Sequence, residues 1–263
     1  MHAEGESSSL EVSNDAVYKL RATAPASSEW HPLGRRLINY AERMLTWFKK
    51  SQHIRPQPGV VKVNLGSGLY VAPGWLNVDG SLKTALARWP RPLLRLLYPL
   101  LSSSTHSCED FVTLLRDNIF VTHNLKYGVP LSANTADYIF TSHVLHHLYK
   151  DQAYRMLRDI WRALKPGGTL RIAVPDLEYI IALYLQGRRE EAIEKYFFYP
   201  SASRSELSTR HYQYDFVLLS KLLESAGFTN VRRCECKQGV TPDIDKLDRL
   251  AHESLFVEAE KPA

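Results

Sequence analysis

The chain has 263 residues, of which 44% are hydrophobic, and a net charge of +5 from 33 Lys and Arg against 28 Asp and Glu. This length suits one large domain with a buried core, and the mild positive charge without a dense basic run predicts no nucleic-acid partner. Three cysteines argue against a disulfide framework. A polar N-terminus without a signal-peptide core, and the lack of any long apolar run, predict a cytoplasmic protein.

The N-terminal region divides into two parts. Residues 1–28 are rich in Ser, Ala and Glu and predict a flexible leader. Within residues 29–58, apolar side chains recur at helical spacing between Trp30 and Lys50, which predicts an amphipathic helix followed by a polar linker. We expect residues 59–263 to form the main domain, which this helix would cover.

The stretch Val61–Asp79 organises the main domain. A short β-prone run ends in Gly66-Ser67-Gly68, and a second run ends in the carboxylate of Asp79. This order is typical of the nucleotide-binding opening of a doubly wound α/β sheet. Glycines allow a sharp turn against a ligand, and a carboxylate at the tip of the next strand can accept hydrogen bonds from ribose hydroxyls.

The details of this stretch favour a nucleoside ligand without phosphates. Val71 occupies the place of the third glycine of a dinucleotide fingerprint, and Pro73-Gly74 prevents a normal helix between the strands. The carboxylate follows Gly66 by 13 residues (79 − 66), whereas dinucleotide sites have it about 20 residues on. An adenosyl ligand such as S-adenosylmethionine therefore fits better than NAD, which remains an alternative.

Residues 81–110 form an unusual insertion. Within 88–101, arginines alternate with leucines and three prolines interrupt the pattern. We expect an ordinary helical insertion packed on the core. A contact with a membrane surface through residues 88–101, a lid and an oligomer contact are alternatives.

The remaining chain alternates between strands and helices, which defines the α/β class and places function at the carboxyl ends of the strands. Hydrophobic patterning predicts strands at 118–124, 137–142, 169–174, 231–236 and 254–260, and helices at 151–164, 177–198 and 216–226.

Four motifs together resemble one family, the class I S-adenosylmethionine-dependent methyltransferases, over about residues 60–260. They are Asn64–Gly68 with Asp79, Ala136–His147, the helix–KPGG–strand order of Leu157–Ile172, and Leu222–Val231. The chain is most similar to the branch found in bacterial polysaccharide and glycan gene clusters. The resemblance implies a mostly parallel, seven-stranded, Rossmann-like sheet with an antiparallel hairpin at its end, preceded here by the N-terminal helix.

The resemblance also implies a set of cofactor contacts. Gly66 and Gly68 would lie against the methionine part of S-adenosylmethionine, and Asp79 would bind the ribose. Asn124 would meet the adenine, where such enzymes often have an aspartate. For Asn64 and Asn124, hydrogen bonding within a local turn is the alternative. The complete predicted set is Asn64, Gly66, Ser67, Gly68, Asp79, Asn124 and Ser142.

Methyl transfer to a hydroxyl requires an aligned donor and acceptor, and a proton acceptor near the reacting oxygen. The candidate bases are His143, His146 and His147, which follow the fourth strand, since imidazole titrates near neutral pH. His143, directly beyond the strand tip, is the predicted base. For His147, packing or capping at the start of a helix is the alternative. Asp176, after the fifth strand, would orient a sugar hydroxyl or act as the base itself. His146, His211 and Tyr212 are the predicted acceptor contacts.

A metal site at His143, His147 and His211 is an alternative reading of the same histidines. Val144 stands where a zinc protease would have glutamate, and we predict no metal. The sequence thus predicts O-methylation of a sugar, a glycan or a similar small molecule. A lipid-linked or secondary-metabolite acceptor, and a protein that binds S-adenosylmethionine without catalysis, are the alternatives.

Overall fold

The computed structural model of the protein describes residues 40–41, 44–45, 47–49, 54, 59–101, 106–197 and 209–263. The predicted leader at 1–28 and most of the predicted helix and linker at 29–58 lie outside these residues. Where it is described, the chain between 40 and 48 is helical. Within the described residues, no helix combines the length and apolar character needed to cross a bilayer.

A seven-stranded sheet forms the centre of the domain, in the order β3-β2-β1-β4-β5-β7-β6. The first five strands are parallel, and β7 runs antiparallel to both β5 and β6. This arrangement confirms the predicted Rossmann-like class and the antiparallel hairpin. The strands are β1 Lys62–Leu65, β2 Leu76–Asp79, β3 Ile119–Thr122, β4 Ala136–Ser142, β5 Leu164–Pro175, β6 Thr229–Cys234 and β7 Ser254–Glu260.

Helices flank the sheet in the described part of the chain. They are α1 Leu82–Ala85, α2 Arg91–Leu101, α3 Cys108–Asp117, α4 Lys150–Ala163, α5 Leu177–Leu185, α6 Arg189–Tyr196, α7 Phe216–Ser225 and α8 Ile244–Leu247.

The predicted continuous helix over 177–198 is wrong, because the chain breaks between α5 and α6. Gly187 adopts a left-handed φ of 88°. The Arg188 N–H then reaches back to the carbonyl of Leu183, which closes the end of α5 as glycine does at many helix C-termini.

The main core lies between β4, β5 and the helices that cover them. Ile139 and Ile172 from neighbouring strands are buried together with Leu157 and Ile160 of α4. The buried positions of α4 recur every three or four residues, so the helix presents one apolar face to the sheet.

A second cluster places the insertion against the start of the domain. Leu94 of α2 packs with Phe111 and Leu115 of α3, and Leu69 of the glycine turn belongs to the same cluster. The inner face of α2 therefore supports the turn that follows β1.

A buried ionic network attaches the segment before β7 to the sheet. Arg171 of β5 is fully buried and donates to Asp248 Oδ1 at 3.0 Å and to Glu258 Oε1 at 3.3 Å. Burial raises the pKa of Glu258, but hydrogen bonds from Val240, Thr241 and Arg232 outweigh it and lower that pKa to about 2. The network fixes the backbone at Asp248 and so positions the next residue, Arg249. The Arg249 guanidinium stacks on Tyr70 of the glycine turn, 3.8 Å from the centre of the ring.

Candidate cofactor and acceptor site

The glycine turn is held against the tip of β2 by backbone hydrogen bonds. The N–H groups of Gly66 and Ser67 donate to the carbonyl of Val78 at 2.7 and 3.3 Å. Gly66 and Gly68 have left-handed φ values of 70° and 53°. Residues with a Cβ rarely adopt this conformation, so the turn requires glycine at both positions.

The two glycines have different surroundings. A Cβ built on Gly66 would lie 2.1 Å from Cγ2 of Val144, whereas one on Gly68 would meet nothing within 4 Å. Gly66 therefore allows the loop after β4 to pack against the turn. Gly68 leaves open space over the backbone, which is the feature that a ligand lying on the main chain needs.

Asp79 closes the turn from the end of β2. Its Oδ2 accepts from the Gly68 N–H at 2.8 Å, and its Oδ1 accepts from the Ser81 N–H at 2.8 Å. Each carboxylate oxygen has a second lone pair, so Asp79 can still accept hydrogen bonds from two ribose hydroxyls.

Asn64 lies beneath the turn and is buried. Its amide donates to the carbonyl of Tyr70 at 2.8 Å and to Oδ1 of the neighbouring Asn77 at 3.2 Å. The bond to Tyr70 lies within the turn, and the bond to Asn77 joins β1 to β2. Asn64 thus braces the turn on which the predicted cofactor would lie.

Asn124 lies at the end of β3, beside the residue that follows Asp79. A Cβ on Gly80 would be 3.5 Å from the Cα of Asn124. The Asn124 Oδ1 caps a short 3₁₀ turn by accepting from the Lys126 N–H at 3.0 Å. Its remaining lone pair can still accept from an adenine amino group, so the capping bond does not exclude the predicted contact.

The tip of β4 is the polar centre of the site. The hydroxyls of Thr141 and Ser142 are buried and, among the described residues, have no hydrogen-bond partner. His143 follows with a left-handed φ of 55°, held by a 2.8 Å hydrogen bond from its N–H to the carbonyl of Ala173. A non-glycine residue in this conformation at a strand tip is common in functional sites.

The His143 side chain is neutral at physiological pH. Burial first, and then the charges of Arg249 and Arg210, lower its pKa to about 3. Its Nε2 lies 3.1 Å from Oγ of Ser254. A neutral imidazole can hold a hydroxyl by a hydrogen bond, but a group with so low a pKa accepts a proton poorly at pH 7. The low pKa and the contact with Ser254 together favour a positioning role for His143 over the predicted role as base.

His146 joins two predicted acceptor contacts to the loop after β4. Its carbonyl accepts from the N–H of His211 at 2.8 Å and from that of Tyr212 at 3.3 Å. The ring is buried, which lowers its pKa well below the usual value, and Nδ1 has no partner among the described residues. The three predicted acceptor contacts are thus brought together.

His147, which the sequence offers as a candidate base and as a ligand of the alternative metal site, has a defined tautomer. Its Nδ1 lies 3.0 Å from the carbonyl of Thr209. A carbonyl only accepts, so this nitrogen carries the proton and Nε2 is the acceptor nitrogen. Burial lowers the pKa of His147, while the bond to Thr209 opposes that shift. Its pairing with a segment that is distant in the chain gave no signal in the sequence.

A cavity of about 310 Å³ is lined in part by His211 and Tyr212. Residues 210–213 form its polar side, and Leu177, Phe197 and Leu218 form its apolar side. The Oε1 of Gln213 is buried without a partner among the described residues. The cavity contains the predicted contacts His211 and Tyr212, and its lining does not include the glycine turn.

Asp176 is occupied by structural bonds. Its Oδ1 caps α5 by accepting from the Glu178 N–H at 3.0 Å, and its Oδ2 accepts from Arg233 at 2.8 Å. Burial raises its pKa, and the bonds from Glu178 and the charge of Arg233 oppose that shift. Because its charge is paired with Arg233 and its Oδ1 caps α5, Asp176 is better suited to fix the start of α5 than to take a proton.

The metal alternative finds no support in the described part of the chain, where no group of three or more His, Cys, Asp or Glu side chains is arranged to hold a metal ion.

A family model described as a methyltransferase domain matches residues 104–172, the segment that contains β3, β4 and most of β5. No curated protein matches the chain.

Several solved structures have a similar fold. An S-adenosylmethionine-dependent methyltransferase from Thermotoga maritima, described as a possible histamine N-methyltransferase, is 14% identical, with a TM-score of 0.46 over 87% of this chain and 91% of that chain. A putative O-methyltransferase from Nostoc punctiforme is 14% identical, with a TM-score of 0.44 over 94% of this chain and 66% of that chain. Identities and TM-scores this low carry no conclusion about the reaction or the acceptor.

The match to the methyltransferase domain and the strand order of the sheet support a class I methyltransferase domain. They likewise support S-adenosylmethionine as the cofactor.

Proposed function

We propose that the protein is an S-adenosylmethionine-dependent O-methyltransferase whose acceptor is a hydroxyl of a sugar, a glycan or a similar small molecule. The observation that carries the proposal is the closed turn in which the Gly68 N–H bonds to Asp79 while the space above Gly68 stays open. This turn lies at the carboxyl ends of β1 and β2, where ligands of open α/β sheets bind.

The residues of this edge suit an adenosyl ligand. Asp79 would accept from the ribose hydroxyls, Gly68 would allow the methionine part to approach the backbone, and Asn124 would lie at the adenine. Ser142, whose buried hydroxyl has no partner among the described residues, lies at the end of β4, the strand next to β1. When bound, S-adenosylmethionine supplies an electrophilic methyl group on a sulfonium.

The acceptor would enter from the side of the histidines. The cavity beside His211 and Tyr212 combines polar and apolar walls, as sugars with their hydroxyl groups and C–H faces require. His143 would hold the acceptor hydroxyl through its neutral ring.

The proton of the acceptor hydroxyl needs a destination. The unprotonated Nε2 of His147 is suited to receive it, since the bond to Thr209 fixes the tautomer and counteracts the lowering of the pKa by burial. His143, the base that the sequence predicts, is the second candidate because it lies at the strand tip, but its low pKa makes it the weaker proton acceptor.

A cytoplasmic location and a place in bacterial polysaccharide or glycan synthesis are part of the proposal, and the second of these rests on the sequence resemblance. A lipid-linked or secondary-metabolite acceptor is the second candidate, favoured by the exposed apolar residues of α2. A protein that binds S-adenosylmethionine without catalysis is the third.

The test is transfer of a radiolabelled methyl group from S-adenosylmethionine to a panel of sugars, nucleotide sugars and glycan fragments. We expect label in a sugar ether, with kcat reduced at least tenfold in His147→Gln. The His143→Asn variant should mainly raise KM. The exposed His252→Gln is the matched control and should keep full activity.

Two results would contradict the proposal. Transfer only to amines, thiols or protein would remove the hydroxyl acceptor. Tight cofactor binding with no transfer to any acceptor, including lipid-linked sugars, would leave a binding protein.

A further inference from the structure

The outer face of α2 is apolar and exposed. Pro92, Leu96 and Pro99 are spaced i, i+4, i+7, so they share one side of the helix, and all three are exposed. Leu96 is 74% exposed, and Trp89, in the turn before the helix, is 41% exposed. The opposite side is buried through Leu94, so this apolar face is not required to build the core. We refer to Trp89, Pro92, Leu96 and Pro99 as the α2 face.

Arginines lie along the edge of the α2 face. Arg88, Arg91 and Arg95 are exposed. Arg95 binds Glu109 through both carboxylate oxygens, at 2.7 and 3.0 Å, which holds it against α3. Among the described residues neither Arg88 nor Arg91 forms an ion pair, although the charge of Arg91 contributes to the lowered pKa of Glu109. Both exposed guanidinium groups can therefore still approach a partner.

We propose that the α2 face docks on the surface of an anionic lipid bilayer. A tryptophan and a leucine on one face, with arginines beside them, are the combination by which helices lie in the headgroup region, with the apolar side chains inserted and the cations near lipid phosphates. A protein partner would need both an acidic rim and a surface shaped to fit the α2 face. An anionic bilayer needs only the charge, because it has no fixed shape to match.

Docking would bring the cofactor side of the domain close to the membrane. Leu94 on the buried side of α2 and Leu69 of the glycine turn belong to the same core cluster. Lipid contact at α2 is therefore one packed layer from the candidate cofactor site. The inference goes beyond the proposed function, and vesicle binding needs no methyl transfer, so either can fail while the other holds.

The test is co-sedimentation of the full chain with vesicles of phosphatidylcholine alone and of an equal mixture of phosphatidylcholine and phosphatidylglycerol. We expect binding to the mixed vesicles only, weakening as salt is raised. The Leu96→Asp variant should bind at least tenfold more weakly. The variant with both Arg88→Ser and Arg91→Ser should bind about 30-fold more weakly, since each arginine near an anionic surface contributes about fivefold.

Leu185→Asp is the matched control, because Leu185 is 78% exposed on α5 and the substitution adds the same charge. It should bind like the unchanged chain. Absence of binding to mixed vesicles, equal binding to both vesicle types, or an equal loss in Leu185→Asp would overturn the proposal. So would self-association that Leu96→Asp abolishes without any vesicle binding, which would make the α2 face a contact between copies of the chain.

Discussion

His143 should make the stability of the protein depend on pH between 7 and 5. Its pKa is about 3 in the folded protein, against about 6.5 for an unperturbed histidine. Between these values the unfolded chain binds a proton that the folded chain does not. Folding is therefore penalised as the pH falls below about 6.5.

The magnitude follows from the two pKa values. At pH 5 the imidazole is almost fully protonated in the unfolded chain and almost fully neutral in the folded one, which costs about 2 kcal/mol; at pH 7 the cost is about 0.2 kcal/mol. The positive charges of Arg249 and Arg210 contribute to this penalty, and Glu253 opposes it. His146 adds a penalty of the same sign, because burial also lowers its pKa.

The comparison of the unchanged chain with His143→Asn isolates one residue. Asparagine tolerates the left-handed backbone at this position and does not titrate. The free energy of unfolding would be measured by urea titration at pH 7 and pH 5, at constant ionic strength. The decrease from pH 7 to 5 should be smaller by about 2 kcal/mol in the variant.

The exposed His252→Asn is the control and should show the same decrease as the unchanged chain. If His143→Asn also shows that decrease, His143 is not buried in a neutral form, and its assignment as a positioning group for a hydroxyl fails.

Three further substitutions test the turn and the ionic network. Gly66→Ala should destabilise the protein by about 2–4 kcal/mol in urea titration, since a Cβ would collide with Val144 and the backbone is left-handed. In Gly68→Ala the new Cβ meets open space, so the free energy of unfolding should fall by only about 1 kcal/mol. The same variant should nevertheless bind adenosyl ligands at least tenfold more weakly. Equal stabilities of the two alanine variants would refute the difference between the glycines. Asp248→Asn should cost about 3–5 kcal/mol, because it leaves a buried arginine short of a counter-charge, and a loss no larger than that of the exposed Asp245→Asn would contradict this.

The sequence was sufficient to predict the sheet, because local signals mark its strands in the order in which they occur along the chain. The glycine turn, the alternation of strands and helices, and the Pro166-Gly167-Gly168 run that ends α4 each located a segment, although β5 already begins at Leu164. The strand order follows from the family resemblance. The break at Gly187 was missed, because a single glycine within an apolar helical pattern does not by itself show that the helix ends there.

The site was harder to predict, because its chemistry depends on contacts between distant residues. The sequence placed His143 and Asp176 at strand tips, but it could not show that burial suppresses protonation of His143 or that Arg233 occupies Asp176. The tautomer of His147 depends on Thr209, which is 62 residues away. Such pairings arise only from tertiary packing.

The central claim is that the glycine turn and Asp79 bind an adenosyl cofactor. Calorimetric titration of the full chain with S-adenosylmethionine, S-adenosylhomocysteine and NAD tests it most directly, with Asp79→Asn compared against the exposed Asp151→Asn. We expect both adenosyl ligands to bind and NAD not to bind. Asp79→Asn should lose that binding while Asp151→Asn retains it. A folded protein that binds neither adenosyl ligand, or that binds them equally well in Asp79→Asn, would contradict the claim.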